Sequence, residues 1–208
     1  MRVRFVIPAR LNSVRVPNKN HKEFMDGKSL TDIACEDVDY MCKELGSGSN
    51  GVLISDVEGR MFYTNIYRFA YPKFLGGFCP SDEFEVDNSL QLWHLGLSVM
   101  NGPQDVTVLI EPSSYPRNTD AILAQIQGFD KKTVVAVRID HRYGMKAHVF
   151  VPTGEFYIAD TKRVLDFTAF HGDMDYAFSK AMNINTQSDW DEARSEIRQE
   201  QQEQQEQQ

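Results

Sequence analysis

The sequence predicts an α/β domain with a mainly parallel central sheet and helices on both faces. Its 208 residues, 41% of them apolar, are enough for one domain with a packed core. Residues 2–8 become wholly apolar toward their end, which is typical of a strand buried inside a sheet. Strand and helix patterns then alternate along the chain. This alternation favours parallel strands, with ligands bound at the carboxyl edge of the sheet.

Each element is predicted from periodicity or from the residues at its ends. Ser29 and Asp32 are suited to start a helix, which the glycine-rich run 46–51 ends. Asn118 is suited to cap another helix. The remaining elements are strands at 52–55, 106–110, 133–139 and 182–186, helices at 89–100 and from about Ser188, and a small hairpin of 148–151 with 156–158. Residues 56–85 give no clear pattern.

The chain is interpreted as a single domain, residues 1–198, followed by a tail at residues 199–208. The tail contains seven Gln and three Glu and has no apolar face. We expect it to be disordered or to form a frayed extension of the last helix, because nothing in it can be buried.

Composition argues against several classes of protein. The net charge of −8 argues against a general nucleic-acid binder. No apolar run approaches membrane-spanning length, and the sequence opens on a strand pattern rather than a signal peptide. The cysteines lack metal-ligand spacing and are expected to be buried, in a reducing compartment: Cys35, Cys42 and Cys79. The sequence therefore predicts a cytoplasmic protein with neither a nucleic-acid nor a membrane partner.

Positive charge is concentrated near the N-terminus. Residues 1–28 carry seven Lys or Arg against two acidic residues, a net charge of +5 in an acidic chain. A basic segment on an acidic protein indicates a local anion site. For Arg2, Arg4 and Lys22 the alternative of simple solvation stays open.

The segment Val6–Asn20 runs from a strand into a polar, cationic loop, Val-Ile-Pro-Ala-Arg-Leu-Asn-Ser-Val-Arg-Val-Pro-Asn-Lys-Asn. Arg10 offers a planar fork and Lys19 a mobile point charge, and both suit phosphate oxygens. Ser13 and backbone N–H groups can complete such a cradle, and Asn20 is a candidate contact for ribose or phosphate. This is the layout of a phosphate-binding turn after a first strand.

The loop resembles the signature loop of the CMP-sugar synthetases, acylneuraminate cytidylyltransferase-like nucleotidyltransferases that activate sialic acid and related acidic sugars. The family pattern reads roughly I-P-A-R-x-x-S-x-x-[IV]-P-x-K-N, and nine positions of this chain match it: Ile7, Pro8, Ala9, Arg10, Ser13, Val16, Pro17, Lys19 and Asn20. Later segments are similar to further family elements in the same order: 25–30, 52–56, 109–117, 154–158 and 183–189. The resemblance implies a Rossmann-like nucleotidyltransferase domain.

The resemblance also implies a reaction, in which CMP passes from CTP to an acidic, sialic-acid-like sugar and pyrophosphate is released. It implies Arg10 and Lys19 as catalytic residues. Residues at nucleotide-binding positions are Ala9, Arg10, Ser13, Lys19 and Asn20. Residues at sugar-binding positions are Glu111, Ser113 and Ser114. Asn183 and Asn185 stand where the family holds its catalytic Mg²⁺, and a homodimer is a possible assembly.

Three departures weaken parts of this interpretation. Asn183 and Asn185 replace two aspartates, and neutral amides bind a hard cation much less well than carboxylates do. Glu111 replaces a glutamine, so a donor and acceptor becomes an acceptor only. Little chain separates Ile139 from the predicted hairpin, where the family inserts a longer segment for dimer contacts and sugar capture. The carboxylates that could substitute at the metal position are Asp56, Asp87 and Asp189.

Several alternatives stay open. Ser113 and Ser114 suit an ordinary turn equally well, and Arg117 suits a pairing with phosphate or with Asp120. Segment 183–186 either holds a metal or packs, with its asparagines capping the last helix. The chain is then a cytidylyltransferase, a non-catalytic nucleotide or nucleotide-sugar binding protein of the same fold, or a nucleotidyltransferase that uses another nucleotide or acceptor.

Overall fold

The computed structural model describes residues 1–10, 13, 15–55, 74–78, 93–94, 96–97, 104–140 and 149–206. The strands within these ranges are β1 (Val3–Pro8), β2 (Glu23–Met25), β3 (Lys28–Ser29), β4 (Asn50–Ile54), β5 (Phe74–Phe78), β6 (Val106–Leu109), β7 (Ser114–Tyr115), β8 (Thr133–Asp140), β9 (Val149–Asp160), β10 (Met174–Phe178) and β11 (Met182–Asn183). Seven of them form one sheet in the order β10-β8-β9-β6-β1-β4-β5. The apolar strand β1 lies between β6 and β4, as its sequence predicts.

The helices with defined bounds in these ranges are α1 (Leu30–Leu45), α2 (Thr119–Gln127), α3 (Thr161–Leu165) and α4 (Gln187–Glu206). Residues 93–94 and 96–97 are also helical, within the stretch predicted at 89–100. The predicted start of α1 is confirmed, because Ser29 Oγ accepts from the N–H of Asp32 and the Asp32 carboxylate accepts from the N–H of Ser29. Asn118 caps α2 by accepting from the N–H of Ala121.

The fold class is confirmed, but the sheet has one reversed strand. Four of its six pairings are parallel, whereas β9 runs antiparallel to both β6 and β8. The predicted position of the hairpin is wrong: residues 149–160 form one strand, and β8 is its hairpin partner. Residues 153–156 bulge out opposite Ala136, and Gly154 has a φ of 74°. A bulge of this kind needs a glycine with positive φ, as a tight turn does, so the sequence of the bulge looks like that of a turn.

Helices cover both faces of the sheet, as the sequence predicts. On one face, α1 and α2 bury a core that includes Phe5 of β1. On the other face, the neighbouring Val6 belongs to a core with Trp93 and with Val164 of α3. Gly96 lets the helical segment lie directly on the sheet, since a Cβ there would be 2.6 Å from Cγ1 of Val6. The alternation of β1 side chains between two cores fixes the sheet as a central layer.

A third core joins the two ends of the chain. Its buried members are Val16, Phe24, Leu30, Ile184, Trp190 and Ala193. Trp190 of α4 meets the ring of Phe24 edge to face at a centroid distance of 4.9 Å, and the Lys22 ammonium lies 4.0 Å from the Trp190 ring centroid. These contacts hold the segment after β1 against the last helix.

The remaining predictions concern the tail, membrane spans and the cysteines. α4 continues to Glu206 and so includes most of the Gln/Glu tail, while the division of the chain at residue 198 stays a prediction. Among the helices that the structure describes, none is both long and apolar enough to cross a membrane. Cys35 and Cys42 are buried free thiols, as predicted. Cys79, Asp56, Asp87 and most of residues 56–85 lie outside the described residues.

Candidate functional site

Segments from distant parts of the chain meet at the carboxyl edge of the sheet. The first loop (residues 9–20) follows β1, and the second loop (residues 110–117) follows β6. The β9 bulge lies beside the second loop because β9 pairs with β6 up to Leu109. The Asn segment (residues 183–186) joins them, since Asn183 of β11 pairs with Ser114 of β7. The site predicted at this edge is therefore assembled from four pieces.

The first loop is tied down at both ends. Ala9 donates its N–H to the Ile54 carbonyl, and its own carbonyl accepts from Ser55 Oγ, both at 2.7 Å. Asn20 is buried and donates its Nδ2 to the Arg10 carbonyl at 2.8 Å. The main chain of Ala9 and the side chain of Asn20 thus shape the loop, and their contacts with a nucleotide stay predictions.

A tight turn presents Lys19. Its N–H donates to the Val16 carbonyl at 3.1 Å, and the central residues are Pro17 and Asn18, the latter with a φ of 59°. Proline at the second position and a positive φ at the third are the requirements of a type II turn. The sequence Val-Pro-Asn-Lys therefore sets the direction of the Lys19 side chain.

Lys19 connects the first loop to the Asn segment. Its Nζ donates to the Ile184 carbonyl at 2.7 Å. Burial, with a smaller effect from Arg15, lowers the pKa of Lys19 to about 8. The carboxylates of Glu111 and Asp189 act in the opposite direction. Lys19 therefore lies among the charges of the place where the first loop, the second loop and the Asn segment meet, which we call the cleft. It is a cation below about pH 8.

Three of the seven Lys and Arg in residues 1–28 belong to the first loop: Arg10 and Arg15, which are exposed, and Lys19, which is half-buried. The other four lie outside it, where Arg2 interacts with Asp105, Arg4 with Asn50, Lys22 with Trp190, and Lys28 with Glu36. Burial of Arg4 within the sheet lowers its pKa. An anion site formed by the three cations of the first loop stays a prediction.

The second loop faces the β9 bulge through Glu111. A Cβ on Gly154 would collide with Oε2 of Glu111 and lie 2.9 Å from Oγ of Ser114, so only glycine fits there. Burial and the Glu111 carboxylate raise the pKa of Tyr157. Ser114 is fully buried and donates its Oγ to the Thr153 carbonyl at 2.6 Å. Ser114 thus serves the turn, while Glu111 and Ser113 are partly exposed.

The Asn segment is held by the second loop and by α4. The main-chain carbonyl of Ser113 accepts from the N–H of Ile184 at 2.8 Å. The Asp189 carboxylate accepts from the N–H groups of Asn185 and Thr186, at 2.9 and 2.7 Å, and so caps α4. Burial opposes ionisation of Asp189, but these N–H groups keep its pKa below the usual value. Thr186 Oγ1 in turn accepts from the N–H of Asp189 at 3.2 Å, so the last helix begins with a reciprocal cap of Thr186 and Asp189 and not with the asparagines.

The Asn segment provides a poor set of donors for Mg²⁺. Oδ1 of Asn183 is buried and finds no hydrogen-bond partner in the described part of the chain, so it is an atom that a ligand would satisfy. The other donors are the Asn185 amide and an Asp189 carboxylate already engaged in capping. Over the described ranges, His, Cys, Asp and Glu form no group of three that could hold a metal. A hard cation needs charged oxygens, so the described residues do not fit it.

Solved structures match the chain over nearly its full length. CMP:2-keto-3-deoxy-manno-octonic acid synthetase complexed with CTP has a TM-score of 0.70 at 11% identity, covering 96% of this chain and 100% of that chain. A protein assigned as a glucose-1-phosphate thymidylyltransferase from Bacillus anthracis has a TM-score of 0.68 at 11% identity, covering 93% and 94%. The 4-diphosphocytidyl-2C-methyl-D-erythritol synthase of Anaerococcus prevotii has a TM-score of 0.62 at 13% identity, covering 95% and 98%.

The chain has the nucleotidyltransferase fold. No protein-family model matches the sequence, and no curated protein matches it. At identities of 11–13% the likeness establishes the fold alone. Within the nucleotidyltransferase fold, the structure brings the first loop, the second loop and the Asn segment to one edge, as the resemblance of their sequences implies.

Of the two partners considered for Arg117, a phosphate and Asp120, the second is wrong. The Nε of Arg117 donates instead to Oδ2 of Asp37 at 2.7 Å. Asp120 instead accepts from the hydroxyl of Tyr40 at 3.3 Å. Arg117 is fully buried, and its guanidinium lies behind the second loop.

Sequence reasoning assigned no site role to Gly154, Tyr157 or Asp37. The first two lie in segment 154–158, whose similarity to a family element was a usable signal. Asp37 is 80 residues from Arg117 in the chain. It lies on a helix of ordinary amphipathic pattern, so no local signal identifies it.

Proposed function

We propose that the chain is an enzyme, a nucleotidyltransferase that transfers CMP from CTP to an acidic, sialic-acid-like sugar and releases pyrophosphate. The observation that carries this proposal is the contact of Lys19 with Ile184, at 2.7 Å. It sets the most closely matched loop of the sequence against the segment that resembles the family's metal-binding element. The fold is consistent with the proposal, because one similar structure is a CMP-sugar synthetase complexed with CTP.

In the proposed reaction, a hydroxyl oxygen of the sugar attacks the α-phosphorus of CTP. The bond from that phosphorus to the bridging oxygen breaks, pyrophosphate leaves with the electron pair, and the proton of the attacking hydroxyl is released to water. Negative charge develops on the phosphoryl oxygens, so prepositioned cations stabilise the transition state. Arg10 offers paired N–H donors and Lys19 a point charge, and Ser13 adds a hydroxyl to the cradle.

The acceptor side of the proposed site is the second loop. Glu111 and Ser113 are its partly exposed polar side chains. The ionised Glu111 accepts hydrogen bonds from sugar hydroxyls, and Ser113 both donates and accepts. Ser114 contributes through the shape of the turn, because its hydroxyl is bonded to Thr153.

Mg²⁺ enters the proposal only as an ion that accompanies the triphosphate. The amides of Asn183 and Asn185 do not replace the charge of two carboxylates. No step above depends on a protein-held metal, and the work of charge stabilisation is assigned to Arg10 and Lys19.

A second candidate is a non-catalytic nucleotide or nucleotide-sugar binding protein of the same fold. The asparagine pair favours it, since the chain keeps the cationic loop and lacks the metal carboxylates at the matched positions. A nucleotidyltransferase with another nucleotide or acceptor is a further candidate, favoured by a similar structure assigned as a thymidylyltransferase.

A turnover assay separates these candidates. The full chain is incubated with each of the four nucleoside triphosphates and with N-acetylneuraminic acid or 2-keto-3-deoxy-manno-octonic acid, and pyrophosphate release is measured. The leading proposal requires release with CTP and an acidic sugar. Calorimetric binding of CTP without release supports the binding protein, and release with another triphosphate supports the third candidate.

The proposed protein acts in the cytoplasm, as its sequence pattern predicts, and its proposed assembly is a homodimer. The short chain between β8 and β9 favours a smaller dimer contact than the resembled family has. Light scattering at several concentrations tests the dimer.

A further inference from the structure

The least exposed cation near the site is Arg117. Its side chain has no solvent exposure. Nη1 donates to the carbonyl of Ser114 at 2.6 Å, and it reaches the carbonyls of Glu111 and Pro112 at 3.3 and 3.4 Å. One guanidinium therefore collects three carbonyl groups from four consecutive residues of the second loop.

These contacts define the loop's shape. Three carbonyl dipoles that converge on one point repel each other unless a cation lies between them. Removing the guanidinium therefore lets the carbonyls turn apart, and Glu111 turns with them because its own carbonyl is one of the three. The main chain adds two further restraints on Glu111: its carbonyl also accepts from the N–H of Ser114 at 3.1 Å, and its N–H donates to the Gly154 carbonyl at 3.3 Å.

Asp37 fixes the guanidinium from the other direction. The Nε to Oδ2 distance is 2.7 Å, and Asp37 lies on α1, the helix that starts soon after the first loop. The first loop is linked to the same helix by the main chain, since the carbonyl of Asn20 accepts from the N–H of Thr31 in α1 at 3.1 Å. Arg117 thus relates the second loop to the helix on which the first loop is anchored.

Stability alone does not account for this arrangement. A buried ion pair gives little net stabilisation, and Nη2 of Arg117 is buried without a hydrogen-bond partner among the described residues. An unsatisfied buried donor costs free energy. An apolar side chain would fill the space without that cost, but it would not gather the three carbonyls.

We infer that Arg117, held by Asp37, is a positioning residue for the acceptor side of the site. It touches neither sugar nor nucleotide; it sets the main chain of Glu111–Ser114 so that Glu111 and Ser113 face the acceptor. This inference rests on the proposed function for its kinetic part, whereas the shaping of the loop is measurable without turnover.

The chain contains a matched control. Arg163 makes the same kind of contact outside the site, donating to the carbonyls of Lys131, Thr168 and His171. Arg163→Lys removes a guanidinium–carbonyl cluster of similar size at a distance from the cleft. Comparing the two variants therefore distinguishes a general loss of stability, which both would show, from a change in acceptor binding, which only Arg117→Lys should show.

The experiment compares Arg117→Lys and Arg163→Lys in the full chain, since lysine keeps the charge and lacks the planar fork. Three quantities are measured: amide hydrogen exchange of segment 110–116, the Kd for CTP, and the KM for the acidic sugar that supports turnover. For Arg117→Lys we expect faster exchange in that segment, a KM raised about tenfold, and a Kd for CTP within about twofold. For Arg163→Lys we expect all three to stay near wild type.

Asp37→Asn is the second variant, for use if Arg117→Lys does not fold. We expect it to fold because asparagine keeps an oxygen that accepts from Nε of Arg117. It should show the same pattern at smaller amplitude. Unchanged exchange in segment 110–116, or equal changes in the CTP Kd and the sugar KM, overturns the inference. If no sugar is turned over, the proposed function fails, and the exchange measurement still decides whether Arg117 shapes this loop.

Discussion

The first loop and the Asn segment form opposite sides of the same cleft, but they differ in what they provide. The first loop keeps every matched residue of the resembled pattern and supplies three cations. The Asn segment resembles its pattern in position and has amides where the pattern has carboxylates. Lys19 lies between the two segments and bonds to Ile184. The two segments therefore lie together although only the first matches the charged residues of the pattern that it resembles.

This difference also explains the charge state of Lys19. Burial lowers its pKa to about 8, and only Glu111 and Asp189 act against that effect. Carboxylates at positions 183 and 185 would favour the ammonium form further, since opposite charges raise the pKa of a lysine. The ammonium form of Lys19 is therefore less strongly favoured than it would be with carboxylates at positions 183 and 185.

The variant with the largest expected effect is Lys19→Met. It removes the charge of Lys19 and its hydrogen bond to the Ile184 carbonyl, and it keeps an apolar side chain of similar length. We expect CTP affinity to fall about 100-fold, because a charge-assisted phosphate contact and the position of the loop are lost together. Calorimetric titration measures it, with Lys19→Arg as the charge-preserving control. A Kd within about twofold of wild type would exclude Lys19 from the site.

Arg10→Ala tests the cationic side alone. Because Arg10 is exposed, the domain should remain folded while nucleotide binding weakens by about 1.5–3 kcal/mol. Arg2→Ala is the matched control, since Arg2 pairs with Asp105 at an exposed position outside the cleft. Unchanged CTP affinity in Arg10→Ala removes this residue from the proposed site.

The double variant Asn183→Asp, Asn185→Asp places carboxylates at both positions where the resembled element has them. It tests whether the Asn segment can then help to bind Mg²⁺. We expect the Mg²⁺ dependence of CTP binding to strengthen about tenfold, since charged oxygens suit this cation. The control is Asn118→Asp, the same chemical change at the cap of α2. If the double variant changes only the melting temperature, the segment has a packing role and its assignment as a metal position fails.

A smaller effect is expected from pH. Lys19 is charged below about pH 8 and neutral above it, so CTP affinity should fall as pH rises through 8. The fall should be about three- to fivefold between pH 7 and 9, because Lys19 is only one of the three cations of the first loop. Lys19→Arg should abolish the dependence, and the double aspartate variant should move its midpoint to higher pH. A flat profile in the wild type contradicts the assigned charge state.

The smallest effect is expected from deleting residues 199–208, a segment that includes the end of α4. The apolar contacts of the helix are made by Trp190, Ala193 and Ile197, all before the cut, so the melting temperature should change by about 2 °C or less. Trp190→Ala is the contrasting variant, with an expected loss of about 3 kcal/mol. A drop of many degrees on deletion would mean that the tail docks on the domain.

The fold class was accessible from the sequence because its determinants are local. The apolar run of β1, the cap at Ser29 and the glycines after Leu45 each specify one element without help from distant residues. The β9 strand was misread for a physical reason: Gly154 carries a turn signature, while the hydrogen bonds of β6 and β8 hold the chain extended on both sides. The edge strand β10 has a short and weakly alternating pattern, and no strand was predicted there.

The candidate site was predictable as a set of segments and less so residue by residue. The motif located the first loop, but it did not show that Asn20 and Ser114 use their side chains on the protein's own main chain. The partner of Arg117 could not be read from the sequence, since a contact across 80 residues depends on how α1 and the second loop are placed by the sheet.

The third core has a consequence for how the protein is made. Lys19 and Ile184, which complete the cleft together, are 165 residues apart in the chain. During synthesis the first loop leaves the ribosome long before Ile184 and Trp190 are made. Nascent chains that stop before α4 therefore present an unanchored cationic loop, and the proposed nucleotide binding should appear only once α4 has been made.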